Sequence, residues 1–367
     1  MKSYRQNLPL SLAIFSMFFG AGNAIFPIIL GTTSQSQIGW AFLGLCITAI
    51  GGPLLGLLGA TLFHGRCIDF FNRAGKIPGA LLIMVTLALL GPFAVIPRCV
   101  TVSYVAFEQL LPEVPMWLYA LATCAICLFC CWKKHFLLPL LGKILSPLLI
   151  ICLLWLIYNG VVSDSPLGVS AMASGEAFTY GLQTGYDTMD LIAAIYFSAG
   201  IWTLLEQLRP KSDKEAVLIA LRSGVFACIL LGLIYLGLAV TAAKYSSHLE
   251  GIAPERLMTV LAYHILGPHV GLVANIAIAL ACLTTIMSLT MTLAQVISRD
   301  LFQWLSYHKA MIAILAITAL MSNVGFGIIM QLLDSCLWLA YPAIIILTIV
   351  NIASKFRGRV EMPRHLN

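Results

Sequence analysis

The chain has 367 residues, of which 60% are apolar and only 10% charged, with a mean hydropathy of +0.96 and a formal net charge of +6. A soluble domain carries about 25% charged residues, so this composition excludes a string of soluble domains and describes one all-α membrane domain over 1–367. The bilayer is the expected partner, and no nucleic-acid partner is expected.

The first apolar segment, residues 8–31, holds Phe18-Phe19-Gly20-Ala21-Gly22-Asn23-Ala24-Ile25-Phe26-Pro27 at its centre. About 20 apolar residues at ~1.5 Å each cross a bilayer, so the run is long enough to span. Its glycines weaken a helix and its proline cannot donate to the ladder. A span broken at mid-depth is tolerated only where the freed backbone faces protein or a wet cavity, so a ligand is expected there. Lys2 and Arg5 imitate the start of a signal peptide, but the apolar run continues past the small residues and nine further segments follow. The segment is therefore read as a retained span.

Segments two and three cover 38–63 and 79–110, separated by a basic loop over 64–76. The third contains Pro92 and Pro97, which predict a kink, and Arg98, the single cation inside a span. The fourth, 115–132, carries Cys124, Cys127, Cys130 and Cys131. With no second ligand cluster, these read as small, soft residues of a buried helix rather than a zinc or iron–sulfur site. The fifth segment, 137–159, is followed by the longest outer loop. No disulfide framework is expected from the scattered cysteines.

The sixth segment, 173–207, is interrupted over Gly181-Leu182-Gln183-Thr184-Gly185-Tyr186-Asp187-Thr188-Met189-Asp190. Asp187 or Thr188 can cap the half-helix that follows, and Asp190 sits where a carboxylate favours the helix dipole. Segments seven to ten run over 216–242, 259–298, 309–322 and 329–352; the eighth is longer than a span needs and so tilts, protrudes or includes loop helix. It carries Thr284, Thr285, Ser288 and Thr292, which can simply bond back to preceding carbonyls. His264 and His269 are five apart, the wrong spacing for a metal site on one helix face. Asp334 lies in the tenth segment.

All 21 Lys and Arg then fall on one side except Arg98 within a span and Lys244 and Arg256 on the other. The positive-inside rule puts both termini and the basic tail, 353–367, in the cytoplasm. The two breaks each open a group of five segments, 1–159 and 173–352. Five is odd, so the second group enters from the opposite face, giving ten transmembrane helices in a 5+5 inverted repeat with helices 1 and 6 broken. Paired interruptions of this kind mark a transporter's binding site. Signatures of membrane enzymes, such as His-Glu-x-x-His or Gly-x-Ser-x-Gly, are missing, so no catalytic residues are expected.

Gly20-Ala21-Gly22-Asn23 with Ile25-Phe26-Pro27 resembles the first-helix signature of the branched-chain amino acid:cation symporters. Pro97-Arg98 with Thr101-Val102-Ser103, Gly185-Tyr186 with Thr188-Met189-Asp190, Ser322-Asn323 with Gly325, and Tyr341-Pro342 are similar to that family too, in the same order along the whole chain. The resemblance implies the leucine-transporter-type fold, leucine, isoleucine and valine as substrates, a sodium ion or proton as coupling ion, no other cofactor, and the plasma (bacterial inner) membrane. Family members usually carry two further C-terminal helices; ten segments are expected here, and they complete the core repeat.

On this reading the substrate site comprises Phe18, Gly20, Gly22, Asn23, Tyr186, Asp187, Thr188, Met189 and Asp190. N–H groups near Gly22 and Asn23 face the carboxylate, carbonyls near Tyr186 to Thr188 receive the ammonium, and Phe18, Phe19 and Met189 surround the aliphatic chain. The resemblance places sodium among the carbonyls of Ser16, Phe19 and Ala281 and the hydroxyls of Thr284 and Thr285. Arg98 is expected to close a gate with Asp187, Asp190 or Asp334. A proton-coupled carrier using Asp190, a channel and a membrane enzyme stand as alternatives.

Overall fold

The computed structural model describes residues 2–108, 110, 112–132, 146–208 and 210–357; among them there is no strand. Lys133, Lys134, Lys143, Arg209, Arg359 and Arg364, the first part of segment five and most of the 353–367 tail lie outside the described residues.

The first span is two helices, α1 (Lys2–Phe18) and α2 (Ala21–Ser34). The ladder of α1 ends where Phe19 N donates to Phe15 O at 2.8 Å. Gly20 is extended, and Asn23 N then donates to Gly20 O at 3.1 Å to open α2. The second span is α3 (Ile38–Leu45) and α4 (Gly52–Thr61), joined by a π-helical stretch at Cys46–Gly51. A short α5 (Cys67–Phe71) leads into α6 (Lys76–Leu90) and α7 (Val95–Glu108). The expected kink lies in the turn at 91–94, and Pro97 sits in the first turn of α7, where its missing N–H has no partner to lose.

Next come α8 (Met116–Cys131), α9 (Ser146–Val162), α10 (Ser174–Asp187) and α11 (Asp190–Gln207). They are followed by α12 (Asp213–Lys244), a short α13 (Ser246–Leu249), α14 (Leu257–Val296), α15 (Tyr307–Met321) and α16 (Phe326–Phe356). The excess length of the eighth segment resolves at Gly267, whose φ of +72° before Pro268 separates helical residues 257–266 from the longer stretch that follows. Among the described residues six helical stretches are long and apolar enough to cross a membrane, and the pair 326–337 and 340–355, bent by 48°, adds a seventh. Residues 8–18, α8 and α9 are shorter apolar helices.

Gly181 and Gly185 do not break the sixth segment, as the sequence suggested; they lie inside α10. They let its backbone approach α3 and the π-helical stretch: a Cβ on Gly185 would lie 2.9 Å from Thr48 Cβ, and one on Gly44 2.8 Å from Leu182 N. The break itself is only Thr188 and Met189. Met189 is left-handed at φ +61°, a conformation rare for a side chain of its size.

The packing is reciprocal. The first broken span, α1 and α2, runs along α12, and the second, α10 and α11, runs along α3 and α4. The third and eighth segments meet directly through α7 and α14. Cys124, Cys127 and Cys131 are buried among apolar side chains, and all eleven cysteines are free thiols.

Candidate functional site

The two breaks meet. Asn23, in the first turn of α2, donates its Nδ2 to Asp190 Oδ2 at 2.8 Å, across the chain to the first turn of α11. The same Nδ2 donates to the hydroxyl of Tyr235 on α12, and that hydroxyl donates to Asp190 Oδ2 at 3.1 Å. Thr188 Oγ1 donates to Gly185 O at 2.9 Å and accepts from Asp190 N, the first N–H of α11, at 3.4 Å, while the N-cap position itself is held by Met189. Asn23, Thr188, Asp190 and Tyr235 are all buried.

Arg98 reaches the same place from α7. It is 2% exposed. Its Nη1 donates to the carbonyl of Asp187 at 2.9 Å, at the end of α10. Its guanidinium carbon lies 5.0 Å from the Phe26 ring centroid on α2. A Cβ on Gly22 would fall 2.6 Å from Nη2, so a side chain there would displace the guanidinium. The guanidinium therefore touches both broken helices. It bonds the backbone of Asp187 rather than the carboxylate of Asp187, Asp190 or Asp334; Asp334 is exposed on α16.

The expected site residues make contacts within the chain: the Asn23 amide N–H donates to Gly20 O and its side chain to Asp190. The carbonyl of Tyr186 accepts from Met189 N, and its ring lies 4.7 Å from that of Tyr341. Phe18, Phe19 and Met189 are buried, as an apolar lining requires.

The helix α14 comes against the first break. A Cβ on Gly20 would lie 3.2 Å from Thr285 Cγ2 and 3.4 Å from its Oγ1. Thr284 and Thr285 both donate to Ala281 O, at 2.7 and 3.0 Å. Their protons are thus used locally while their lone pairs stay available to a cation. Ser16 and Phe19 lie at the C-terminal end of α1, whose final carbonyls carry the negative end of the dipole. His264 pairs with His248, ring centroids 4.2 Å apart, rather than with His269. Among the described residues no three His, Cys, Asp or Glu side chains converge as a metal site.

Tyr235 and Phe26 escape the sequence reading of the site. Tyr235 is one of several polar side chains in a 32-residue helix that also carries Arg222, Ser223 and Thr241, so nothing in the sequence singles it out.

Two interrupted apolar helices, joined through one buried polar cluster inside a helical bundle, define an all-helical membrane fold, and it is shared with solved structures. The structure of MhsT in complex with L-phenylalanine is similar at a TM-score of 0.63, over 95% of this chain and 88% of that one, at 19% identity. The inward-facing conformation of Mhp1 is similar at 0.64, over 93% and 75%, at 15% identity. The model of the branched-chain amino acid transport protein family matches residues 3–362, and the chain belongs to that family. Its relatives include the branched-chain amino acid transport system 3 carrier protein of Pseudomonas aeruginosa, 30% identical over 95% of this chain and 80% of that one. The branched-chain amino acid permease BraB of Bacillus subtilis is 25% identical over 98% and 82%. The protein is thus a multi-pass membrane transporter and not an enzyme.

Proposed function

We propose that the protein imports leucine, isoleucine and valine by symport with sodium, through alternating access around the two breaks. The carrying observation is the meeting of both broken helices at Asn23, Asp190 and Arg98, with Thr285 pressed against Gly20. Reciprocal packing of each broken span along the second helix of the other half supports the inverted repeat over 1–159 and 173–352. In that arrangement the termini face the cytoplasm of a bacterial cell. The substrate lies at the breaks, among Phe18, Gly20, Gly22, Tyr186, Asp187, Thr188 and Met189. Sodium lies between α1 and α14, held by the carbonyls of Ser16, Phe19 and Ala281 and the hydroxyls of Thr284 and Thr285. Five neutral oxygens suit a hard monovalent cation.

Proton coupling through Asp190 is the second reading, because a buried intramembrane carboxylate is the group such coupling needs. Sodium is preferred because Asp190 is already held within the chain, accepting from Asn23 Nδ2 and from the Tyr235 hydroxyl. Uptake into proteoliposomes, with sodium and pH gradients applied separately, tests this. Sodium-driven, saturable uptake of unchanged leucine is expected. Uptake indifferent to sodium, driven by pH and abolished only by Asp190→Asn, would give the site to the proton.

A further inference from the structure

We propose that Arg98 binds the carboxylate of the transported amino acid, and that its hydrogen bond to the Asp187 carbonyl is exchanged for the substrate's two charged ends. The inference rests on the substrate reading above and names the residue that anchors it.

Arg98 is buried, and among the described residues no carboxylate oxygen lies within ion-pair distance of it. A guanidinium offers five donors in a planar fork matched to carboxylate. Here Nη1 has only a neutral backbone acceptor, and Nε, also buried, has none. A buried cation without a bound anion is costly, and inside a membrane such a group defaults to function. Two carboxylates of the chain act on it through space, Asp187 first and then Asp190, but neither bonds it, and that of Asp190 is already engaged by Asn23 and Tyr235. The guanidinium lies beside Gly22, in the first turn of α2, where the helix dipole also favours an anion. All these features call for an anionic group that arrives from outside the chain.

An amino acid zwitterion meets the requirement on both sides. Its carboxylate takes donors of Arg98, including the idle Nε. The Asp187 carbonyl, released by Nη1, then accepts from the ammonium. One neutral-acceptor bond is replaced by charge-assisted bonds at each end, with no net charge added to the site. The carboxylate is common to leucine, isoleucine and valine, so one anchor serves all three while the apolar lining sorts the side chains.

The test compares binding of leucine and leucinamide to the purified full-length protein. Leucinamide keeps the ammonium and side chain but not the anion. Wild-type protein should prefer leucine by roughly 10–100-fold, the scale of a charge-assisted pair. In Arg98→Gln the preference should fall to within about 3-fold, because leucine loses affinity and leucinamide does not. Arg98→Lys, which keeps charge without the fork, should retain an intermediate preference. Gly22→Ala, whose methyl displaces the guanidinium, carries the test if Arg98→Gln does not fold, and should also weaken leucine selectively. A wild-type preference in Arg98→Gln, or equal losses for both ligands, overturns the anchor and leaves the transport reading intact. Wild-type protein that binds none of the three amino acids removes the substrate reading, and the anchor with it.

Discussion

Removing a single oxygen atom from Tyr235 should loosen the contact between the two breaks. The side chain is fully buried on α12, and Tyr235→Phe keeps its ring in place. It deletes the donation to Asp190 Oδ2 at 3.1 Å and the acceptor for Asn23 Nδ2. A hydrogen bond to a charged group contributes about 1.5–3 kcal/mol, or roughly 10–150-fold in an equilibrium. Asn23 still donates to Asp190 at 2.8 Å, so the lower end applies, about 10-fold. The triangle ties the first turn of α2 to the first turn of α11, so the loss should fall on the apparent affinity for leucine. The sodium concentration for half-maximal uptake should hold, because Thr285 is untouched. The assay is leucine uptake into proteoliposomes at saturating sodium, with a double-mutant cycle on Asn23→Ala. A coupling of about 1 kcal/mol is expected for groups in one network. Wild-type KM in Tyr235→Phe together with zero coupling would refute the triangle as the element that sets the spacing of the breaks.

Thr285→Ala should raise the half-saturating sodium concentration, with Thr284→Ala milder, since only Thr285 lies against Gly20; sodium titration of uptake checks both. Asp190→Asn should spare sodium dependence while weakening leucine binding, because it alters the partner of Asn23 and Tyr235. Leucine, isoleucine and valine should compete within roughly two orders of magnitude, because an apolar pocket resolves one methylene by only ~1–3 kcal/mol. Lysine or glutamate, whose charge would be buried unpaired, should not compete, and radiolabelled-leucine competition decides it. Gly185→Ala should cost about 1–3 kcal/mol of stability by forcing α10 off Thr48, seen as a lower thermal midpoint in detergent.

The first break was legible because Gly20 and Gly22 follow an apolar run, and a helix without side chains there has nothing to gain by continuing. The same residue misled in the sixth segment. Gly181 and Gly185 serve close approach to α3, and the helix passes through both before stopping at Thr188 and Met189. Composition cannot separate a glycine that ends a helix from one that lets another backbone in. Asp190 and Arg98 stood out as charges in lipid, but their partners did not. Asn23 was singled out for its backbone N–H, while the bond of its side chain to Asp190, 167 residues away, had no signal in the sequence. Tyr235 was invisible because a hydroxyl on an aromatic ring barely perturbs hydropathy, and its meaning depends on a register that only packing sets.

Reciprocal pairing also has a consequence for how the chain is made. Asn23 finds its two side-chain partners 167 and 212 residues later, and Arg98 meets Asp187 after 89. At ~5–20 residues per second of synthesis, Asn23 waits roughly 10–40 s for Tyr235. During the earlier part of that interval the amide of Asn23, and then the guanidinium of Arg98, are made before the residues they finally bond. Each broken span lies along a helix from a distant part of the chain. The groups that make the mature site polar are therefore also the marks by which a half-made chain differs from a whole one.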